Sequence, residues 1–476
     1  MKWSGRWQTP AMIKLALPAG DLRGAIAQLL DSAGLAIEGY GEGSRAYRLP
    51  GRSRDVLTAR VFREKDISIQ IALGNYDLGI CSIAWVKEMH ARFPGQPIVP
   101  LSDLGVAQAT LWAAGAPGHC GRLEDLSRLG LVRIASEYAN IAEAFARSAR
   151  LARYRVQPVG GAAEAYPPED ADCVIVAAAG GNQLREAGAQ PLFKLFDSSA
   201  WLVANATALK TKNLSSVTGP LKSSATSTAA GNGFRLPGPL SRNAARRMPM
   251  SRDTLRLAVP DGHQQRHVVE ALRAADLAFD GYGDGQSIRR PRSGVDRLDV
   301  KVIRPHDMPA LVATGEVDLA ITGRDCLREH RYAFPSSPAT ELLDLQRGQY
   351  NLSAVVSEDL PATTIDEVLE LWRGEGKPIL RVAAEFPATA DHYARSRHFW
   401  RYQVIPIAGA SEGFVPEDAD LLIEGTETGK TLAENRLKAI DLLYRSTTCL
   451  IGHRAPNLSE KRRRVYDHLL SALQPS

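Results

Sequence analysis

The chain has 476 residues, with 58 basic and 53 acidic side chains and a formal net charge of +5. It is 44% hydrophobic and 23% charged, a globular composition that excludes a wholly disordered chain, a collagen and a disulfide scaffold. At roughly 150 residues per domain, the length predicts two to four domains.

The opening, MKWSGRWQTP, lacks the apolar stretch of a signal peptide. No apolar run reaches the roughly 18 residues of a membrane span, so no membrane role is expected. Cys81, Cys120, Cys173, Cys326 and Cys449 are scattered without a C-x-x-C pair. That spacing argues against a zinc site and a stapled secreted fold, and predicts a reducing, cytoplasmic setting.

Along the chain, the same text appears twice. IKLALPAGDLRGAIAQLLDSAGLAIEGYGEG begins at Ile13, and LRLAVPDGHQQRHVVEALRAADLAFDGYGDG begins at Leu255. Pro18 matches Pro260, Gly20 matches Gly262, and Tyr40 matches Tyr282. FREKDISIQIALGNYDLGI then matches IRPHDMPALVATGEVDLAI, so Arg63, Asp66, Gly74 and Asp77 fall on Arg304, Asp307, Gly315 and Asp318. The stretch ending YPPEDAD at Asp172 matches the one ending VPEDAD at Asp420. Conserved order and spacing predict a tandem duplication: one copy over 12–205, a linker over 206–252, and a second copy over 253–475. The linker carries Lys210, Lys212, Lys222, Arg235, Arg242, Arg246, Arg247 and Arg252 and no acid. Its Ser, Thr, Ala, Gly and Pro content reads as a flexible tether. No aromatics are interleaved among the cations of 206–222 and 242–252, so no nucleic-acid partner is expected.

Within each copy, strands alternate with helices. LRLAVP is a short apolar strand, and Val268, Val269 and Leu272 lie at helical spacing before Ala275. VDLAITG and DADLLIEGT are runs of buried-strand length. This alternation predicts an α/β fold with mostly parallel sheets, whose ligands sit beyond the carboxyl ends of strands. Gly323 and Gly425 close two such strands, where backbone can approach a ligand.

The sharpest motif runs from Asp420 to Leu432, DLLIEGTETGKTL. It reads as a strand, a polar loop and a helix continuing through LAENRLKAIDLLY, with Leu432, Leu437, Ile440 and Leu443 or Tyr444 on one face. Backbone N–H groups of 428–431 at the helix start suit a phosphate, and Glu424 is an acceptor for sugar hydroxyls. Thr428 serves equally as an ordinary helix cap. A Walker A loop is excluded, because Glu424 stands where that motif requires glycine.

These stretches in the second copy resemble ATP phosphoribosyltransferase, the first enzyme of histidine biosynthesis. RPHDMP from Arg304, with GEVDLAITGRD from Gly315, is similar to the family's first-lobe signature. Gly409 through Asp420 is similar to the second-lobe approach, and Glu424 through Leu437 to the phosphoribosyl pyrophosphate loop. STTCLIGHRAPN resembles the return strand to the first lobe. The resemblance implies two tandem copies of a bilobal fold like periplasmic binding proteins, with substrates in the cleft. It implies attack of N1 of ATP's adenine on C1 of phosphoribosyl pyrophosphate, with loss of pyrophosphate. Glu424 and Arg304 are then the catalytic residues. Glu424, Glu427, Thr428, Gly429, Lys430 and Thr431 bind the donor, and Asp307, Thr322 and Gly323 line the cleft from the first lobe. Mg²⁺ is expected to arrive on the pyrophosphate, with no protein metal cluster. The expected partners are ATP, phosphoribosyl pyrophosphate and a homo-oligomer or pseudo-dimer, with a regulatory subunit as a further option. The long-form family's third domain has no counterpart after SEKRRRVYDHLLSAL, so feedback by histidine through one is not expected.

The copies depart from the family in different ways. In the first copy, Val176 replaces Glu424, Gly180 replaces Thr428 and Gln183 replaces Thr431, so this copy is expected to be non-catalytic. It serves as a partner surface or a regulator. In the second, the family's early Lys-Gly-Arg reads Asp261-Gly262-His263, its Gly-Arg-Cys reads Gly348-Gln349-Tyr350, and the Lys before Tyr-Pro reads Glu385. Arg289, Arg290 and Arg292 either compensate or form a solvated basic loop. His263 and His306 are given no catalytic role. Two alternatives remain beside the transferase: a non-catalytic regulatory or sensing paralogue, and a phosphoribosyltransferase with another acceptor base.

Overall fold

The computed structural model describes residues 12–44, 46–50, 57–224, 234–240, 254–283, 286–409, 411–427 and 429–474. Each copy forms two α/β lobes. In the first copy, one sheet runs in the order Arg48–Pro50, Leu57–Phe62, Ile13–Pro18, Leu78–Ser82, Ala200–Asn205, Ile98–Asp103. Its other lobe runs Gln190–Ser198, Ala109–Gly115, Cys173–Ala178, Val132–Ser136, Tyr154–Pro158. The second copy repeats the plan. Its first lobe runs Leu298–Ile303, Leu255–Pro260, Leu319–Gly323, Thr448–His453, Ala339–Asp344. Its second lobe runs Tyr402–Pro406, Leu380–Ala384, Leu421–Thr426, Tyr350–Ser357, Leu437–Ser446. The chain passes between lobes twice per copy, so each cleft has a two-strand hinge.

The elements follow from the residues. All six positions of Leu255–Pro260 are buried, because the strand is flanked by parallel neighbours on both edges and covered on both faces. His263–Ala274 is a helix that buries Val268, Val269, Ala271 and Leu272, the predicted stripe. The sheets are mixed rather than mostly parallel. Leu380–Ala384 pairs in parallel with both neighbours, whereas Tyr350–Ser357 and Leu437–Ser446 are antiparallel additions.

The expected long helix after Leu432 is also corrected. Lys430–Glu434 is helical for only five residues, and Leu437–Ser446 is an edge strand paired with Tyr350–Ser357. Arg436 takes a positive φ of 56°, which ends the helix. Ile440, Leu443 and Tyr444 then pack on the lobe core from a strand. Their spacing fits a helix stripe as well as a bulged strand, so periodicity alone misread it.

The linker is not uniformly a tether. Ala206–Thr211 and Ser215–Ser224 are helices, and Leu214, Val217 and Leu221 are buried in the first lobe's core. Residues 234–240 run along the first copy's second lobe. There Arg235 N donates to Leu195 O at 2.9 Å and Leu240 N to Ala149 O at 3.0 Å. The rest of the expected tether, 225–233 and 241–252, lies outside the described residues.

The two copies share cores. Phe62, Ile67, Ile71 and Tyr76 of the first copy pack with Ile407, Phe414, Val415 and Leu422 of the second. Val159, Tyr166 and Val174 of the first pack with Ile303, Met308 and Leu311 of the second. Each copy's first lobe therefore sits on the other copy's second lobe, a head-to-tail pseudo-dimer. Matching hydrogen bonds repeat across it. Asp66 accepts from Ala408 N at 3.0 Å, and its counterpart Asp307 accepts from Gly160 N at 3.0 Å.

Candidate active site

Glu424 lies near the end of Leu421–Thr426, a central strand of the second copy's second lobe. The Ser411 hydroxyl donates to its carboxylate, and Gly425 N donates to Oε1 at 3.1 Å. Glu412, only 9% exposed, stands beside it. Burial, then the neighbouring charge of Glu412, pushes the Glu424 carboxyl up to about 8. Burial likewise raises Glu412, with Glu385 adding to the effect. Three carboxylates thus converge where the strand ends. Gly425 leaves room for Tyr350, whose ring carbon lies 2.6 Å from where a Cβ would stand.

Past Glu424 the chain makes the predicted loop. Glu427 is exposed and faces its own first lobe, 3.9 Å from Arg266 and 3.8 Å from His267. Gly429 N donates to Thr426 Oγ1 at 2.7 Å, and Gly429 adopts φ +73°, a conformation that favours glycine. Lys430 is exposed, 3.8 Å from Glu434. The carbonyl of Thr431 accepts from Asn435 Nδ2 at 2.9 Å. Thr428 lies outside the described residues. Glu424, Glu427, Gly429, Lys430 and Thr431 are brought to one end of the second copy's sheet.

The wall opposite comes from the first copy. Tyr47 N donates to Asn435 Oδ1 at 3.0 Å. A surface pocket of about 490 Å³ is lined by Gly43, Ser44 and Ala46 of the first copy and Lys430 and Glu434 of the second. Arg63 reaches across to Gly409, with Nε 3.3 Å from the position of a Cβ there. Among the described residues Arg63 forms no ion pair, while its charge acts on Tyr47. Burial, and then Glu412, raises the Tyr47 phenol, an effect that Arg63 opposes.

The first-lobe residues fall elsewhere than expected. Arg304 does not join Glu424. It packs over Gly160 and Gly161 of the first copy, and its Nη1 lies 3.0 Å from Asp261 Oδ1. The reason is the head-to-tail packing, which points each first-lobe arginine at the other copy's second lobe. Asp307 does not line the second cleft either, because its carboxylate accepts from Gly160 N and Tyr166 Oη, both at 3.0 Å. Thr322 is fully buried and donates to Pro305 O at 3.0 Å. Gly323 precedes the helix Arg324–Ala333, where a Cβ would meet Asp325 and Gln264. Both therefore support the first lobe's turn. From that lobe, His306 instead faces Glu385, at 4.0 Å, and stacks on Phe386.

Sequence reasoning missed Arg63 and Tyr47 as site residues, and placed Ser411, Glu412 and Asn435 in the matching stretches without giving them a role. The signal for Arg63 was present in the repeat itself, since it matches Arg304 and a pseudo-dimer exchanges the two. Among the described residues no group of three or more His, Cys, Asp or Glu could hold a metal ion. No described helix is long and apolar enough to cross a membrane.

Known proteins resemble parts of this chain. The family model "ATP phosphoribosyltransferase" matches residues 63–223 and again 304–475. An ATP phosphoribosyltransferase of Solibacter usitatus is 31% identical over 218 residues, covering 45% of this chain and 70% of its own length. One of Rubrobacter xylanophilus is 31% identical over 202 residues, 42% of this chain and 87% of its own. The solved ATP phosphoribosyl transferase (HisG:HisZ) complex of Thermotoga maritima matches at TM-score 0.38 and 21% identity, over 45% of this chain and 98% of that one. With its family model matched once in each copy, the chain belongs to the ATP phosphoribosyltransferase family.

Proposed function

We propose that the second copy's cleft transfers the phosphoribosyl group of phosphoribosyl pyrophosphate to N1 of ATP's adenine. The C1–oxygen bond to pyrophosphate breaks as the N1–C1 bond forms. The observation that carries this reading is the asymmetry between copies: among the described residues, Glu424 with Ser411 and Glu412, followed by the Gly429–Thr431 turn, occurs in the second copy alone. Val176, Gly180 and Gln183 stand at the matching places in the first copy.

The chemistry needs no covalent nucleophile. A cation-like sugar centre is served by positioning two substrates and by carboxylates beside it. Glu424 takes the ribose hydroxyls, which requires its ionised form. The Gly429–Thr431 backbone and the Thr431 hydroxyl hold the 5′-phosphate. Glu427 and Lys430 border the donor. Arg63 of the first copy, without an ion pair among the described residues, meets the leaving pyrophosphate. Mg²⁺, carried on the pyrophosphate oxygens, would supply charge neutralisation there without needing a cluster of protein carboxylates. The first copy acts as a built-in partner subunit without turnover of its own. Assembly into a larger homo-oligomer or with a regulatory subunit, and a cytoplasmic location, are consistent with this biosynthetic role.

Another acceptor base is the second reading, and Glu385 favours it. Its carboxylate stands within Coulombic reach of Glu424 and Glu412, where a triphosphate would meet repulsion.

The test incubates the protein with ATP, phosphoribosyl pyrophosphate, Mg²⁺ and a pyrophosphatase, and follows adenine absorbance. Product abolished by Thr431→Ala supports the assignment. Donor binding that survives Glu424→Ala and Thr431→Ala in folded protein refutes the loop. Donor binding without product on ATP, but with product on uncharged bases, selects the second reading.

A further inference from the structure

The two clefts differ in one charge that the loop residues do not explain. Between the matched pairs Pro18/Pro260 and Gly20/Gly262 stand Ala19 in the first copy and Asp261 in the second. Counting from the matched Tyr40 and Tyr282, Tyr47 corresponds to Arg289. Because the copies pack head to tail, Tyr47 and Arg63 face the second copy's site, and Ala19 precedes Gly20, where a Cβ would stand 3.5 Å from Arg63 Nη1; Asp261, Arg289 and Arg304 are grouped at the first copy's site.

There, Asp261 binds two guanidinium groups. Its Oδ2 lies 2.8 Å from Arg289 Nη1 and its Oδ1 lies 3.0 Å from Arg304 Nη1. Arg289 Nε also donates to Glu164 Oε1 at 2.9 Å, and Glu164 matches Glu412. One carboxylate holding two arginines with two oxygens has the form of a bound oxyanion. Arg304 Nε remains buried with no hydrogen-bond partner, a donor that Asp261 cannot reach. In the second cleft Ala19 supplies no such anion, and Arg63 is left without an acid partner among the described residues.

We infer that the first cleft is a latent anion site held shut by Asp261, an internal carboxylate that occupies the place a phosphate or pyrophosphate would take between Arg289 and Arg304. The lock prevents the degenerate copy from competing for the donor or sequestering the product pyrophosphate. It also ties the second copy's first lobe to the first copy's second lobe through Glu164.

The test is calorimetric titration of the full chain with inorganic pyrophosphate, comparing wild type with Asp261→Asn and Ala19→Asp. In Asp261→Asn a new site appears, and it is lost again when Arg289→Leu and Arg304→Leu are added. Ala19→Asp weakens binding at the second cleft by about tenfold or more, because it gives Arg63 the same internal anion. Should Asp261→Asn fail to fold, Ala19→Asp decides the question at a partly exposed position. Unchanged stoichiometry in folded Asp261→Asn overturns the lock, as does a wild type that already fills both clefts, or, where wild type binds at the second cleft, an Ala19→Asp that binds there equally tightly. A wild type that binds no pyrophosphate, with Asp261→Asn gaining one site, upholds the lock and refutes instead the assignment of Arg63 to the pyrophosphate.

Discussion

Tyr47 of the first copy donates its backbone N–H to the Asn435 side chain of the second, at 3.0 Å. Asn435 is 2% exposed and its Nδ2 donates in turn to Thr431 O. A five-residue helix has little stability of its own, so Asn435 hands its position to the first copy. Asn435→Ala leaves the Tyr47 N–H without its acceptor, at about 1–3 kcal/mol, while the Thr431 carbonyl keeps the backbone N–H of position 435. The expected outcome is a lower urea midpoint together with a raised KM for phosphoribosyl pyrophosphate. Asn435→Asp, which keeps the acceptor for Tyr47, restores part of both. A stability loss with unchanged KM would detach this link from donor binding.

Glu424 sets the second expectation. Its folded-state pKa, about 8, exceeds the ordinary carboxylate value. Between about pH 4.5 and 8 the native state therefore holds more protons than the unfolded state, and the ligand-free protein loses stability as pH rises through that window. Sugar hydroxyls donate to the ionised form, so donor binding has the opposite slope and tightens as pH approaches 8. Glu424→Gln flattens both slopes. Thermal unfolding at a series of pH values, with and without donor, reads the two effects separately. Parallel slopes for wild type and Glu424→Gln would assign the titration to another group.

The duplication was legible beforehand, and the family model matches once in each copy. The strand through Glu424 and a turn at Gly429 were also legible, and the structure has both. Two things were not readable. Arg304 matched a family motif, but which cleft it enters depends on docking between copies, which no local pattern encodes. Leu437–Ser446 carries apolar residues that fit a helix stripe, and only its pairing with Tyr350–Ser357 makes it a strand. Tertiary pairing overrode local periodicity there.

The exchange of arginines yields a direct contrast. Arg63→Ala removes a charged donor from the second cleft, worth roughly 1.5–3 kcal/mol, or about 10- to 100-fold in kcat/KM. Arg304→Ala, although its residue carries the better match to the family signature, acts at the first cleft and leaves kcat/KM within a few-fold. Steady-state kinetics of the two variants at matched folding decide between them. A large loss in Arg304→Ala with little in Arg63→Ala would restore the expectation drawn from the motif.

Phe414 tests whether the copies are one folding unit. It is fully buried and meets Phe62 of the other copy edge to face, with centroids 4.9 Å apart. Nearby, Tyr76 Oη donates to Asp418 at 2.7 Å across the same boundary. Phe414→Ala removes a ring from a shared core and is expected to cost about 3–5 kcal/mol. Phe334→Ser, at a position 60% exposed, should stay within about 0.5 kcal/mol. Because Phe414 is shared, its loss lowers the unfolding midpoint of both copies together, in a single transition. Cutting the chain within 225–233 and expressing the halves apart exposes the same apolar faces. Each half alone is then expected to aggregate, and co-expression to recover a soluble pair. A soluble, monomeric second copy with donor binding intact would show that the first copy is dispensable to the site, against the wall that Tyr47 and Arg63 provide.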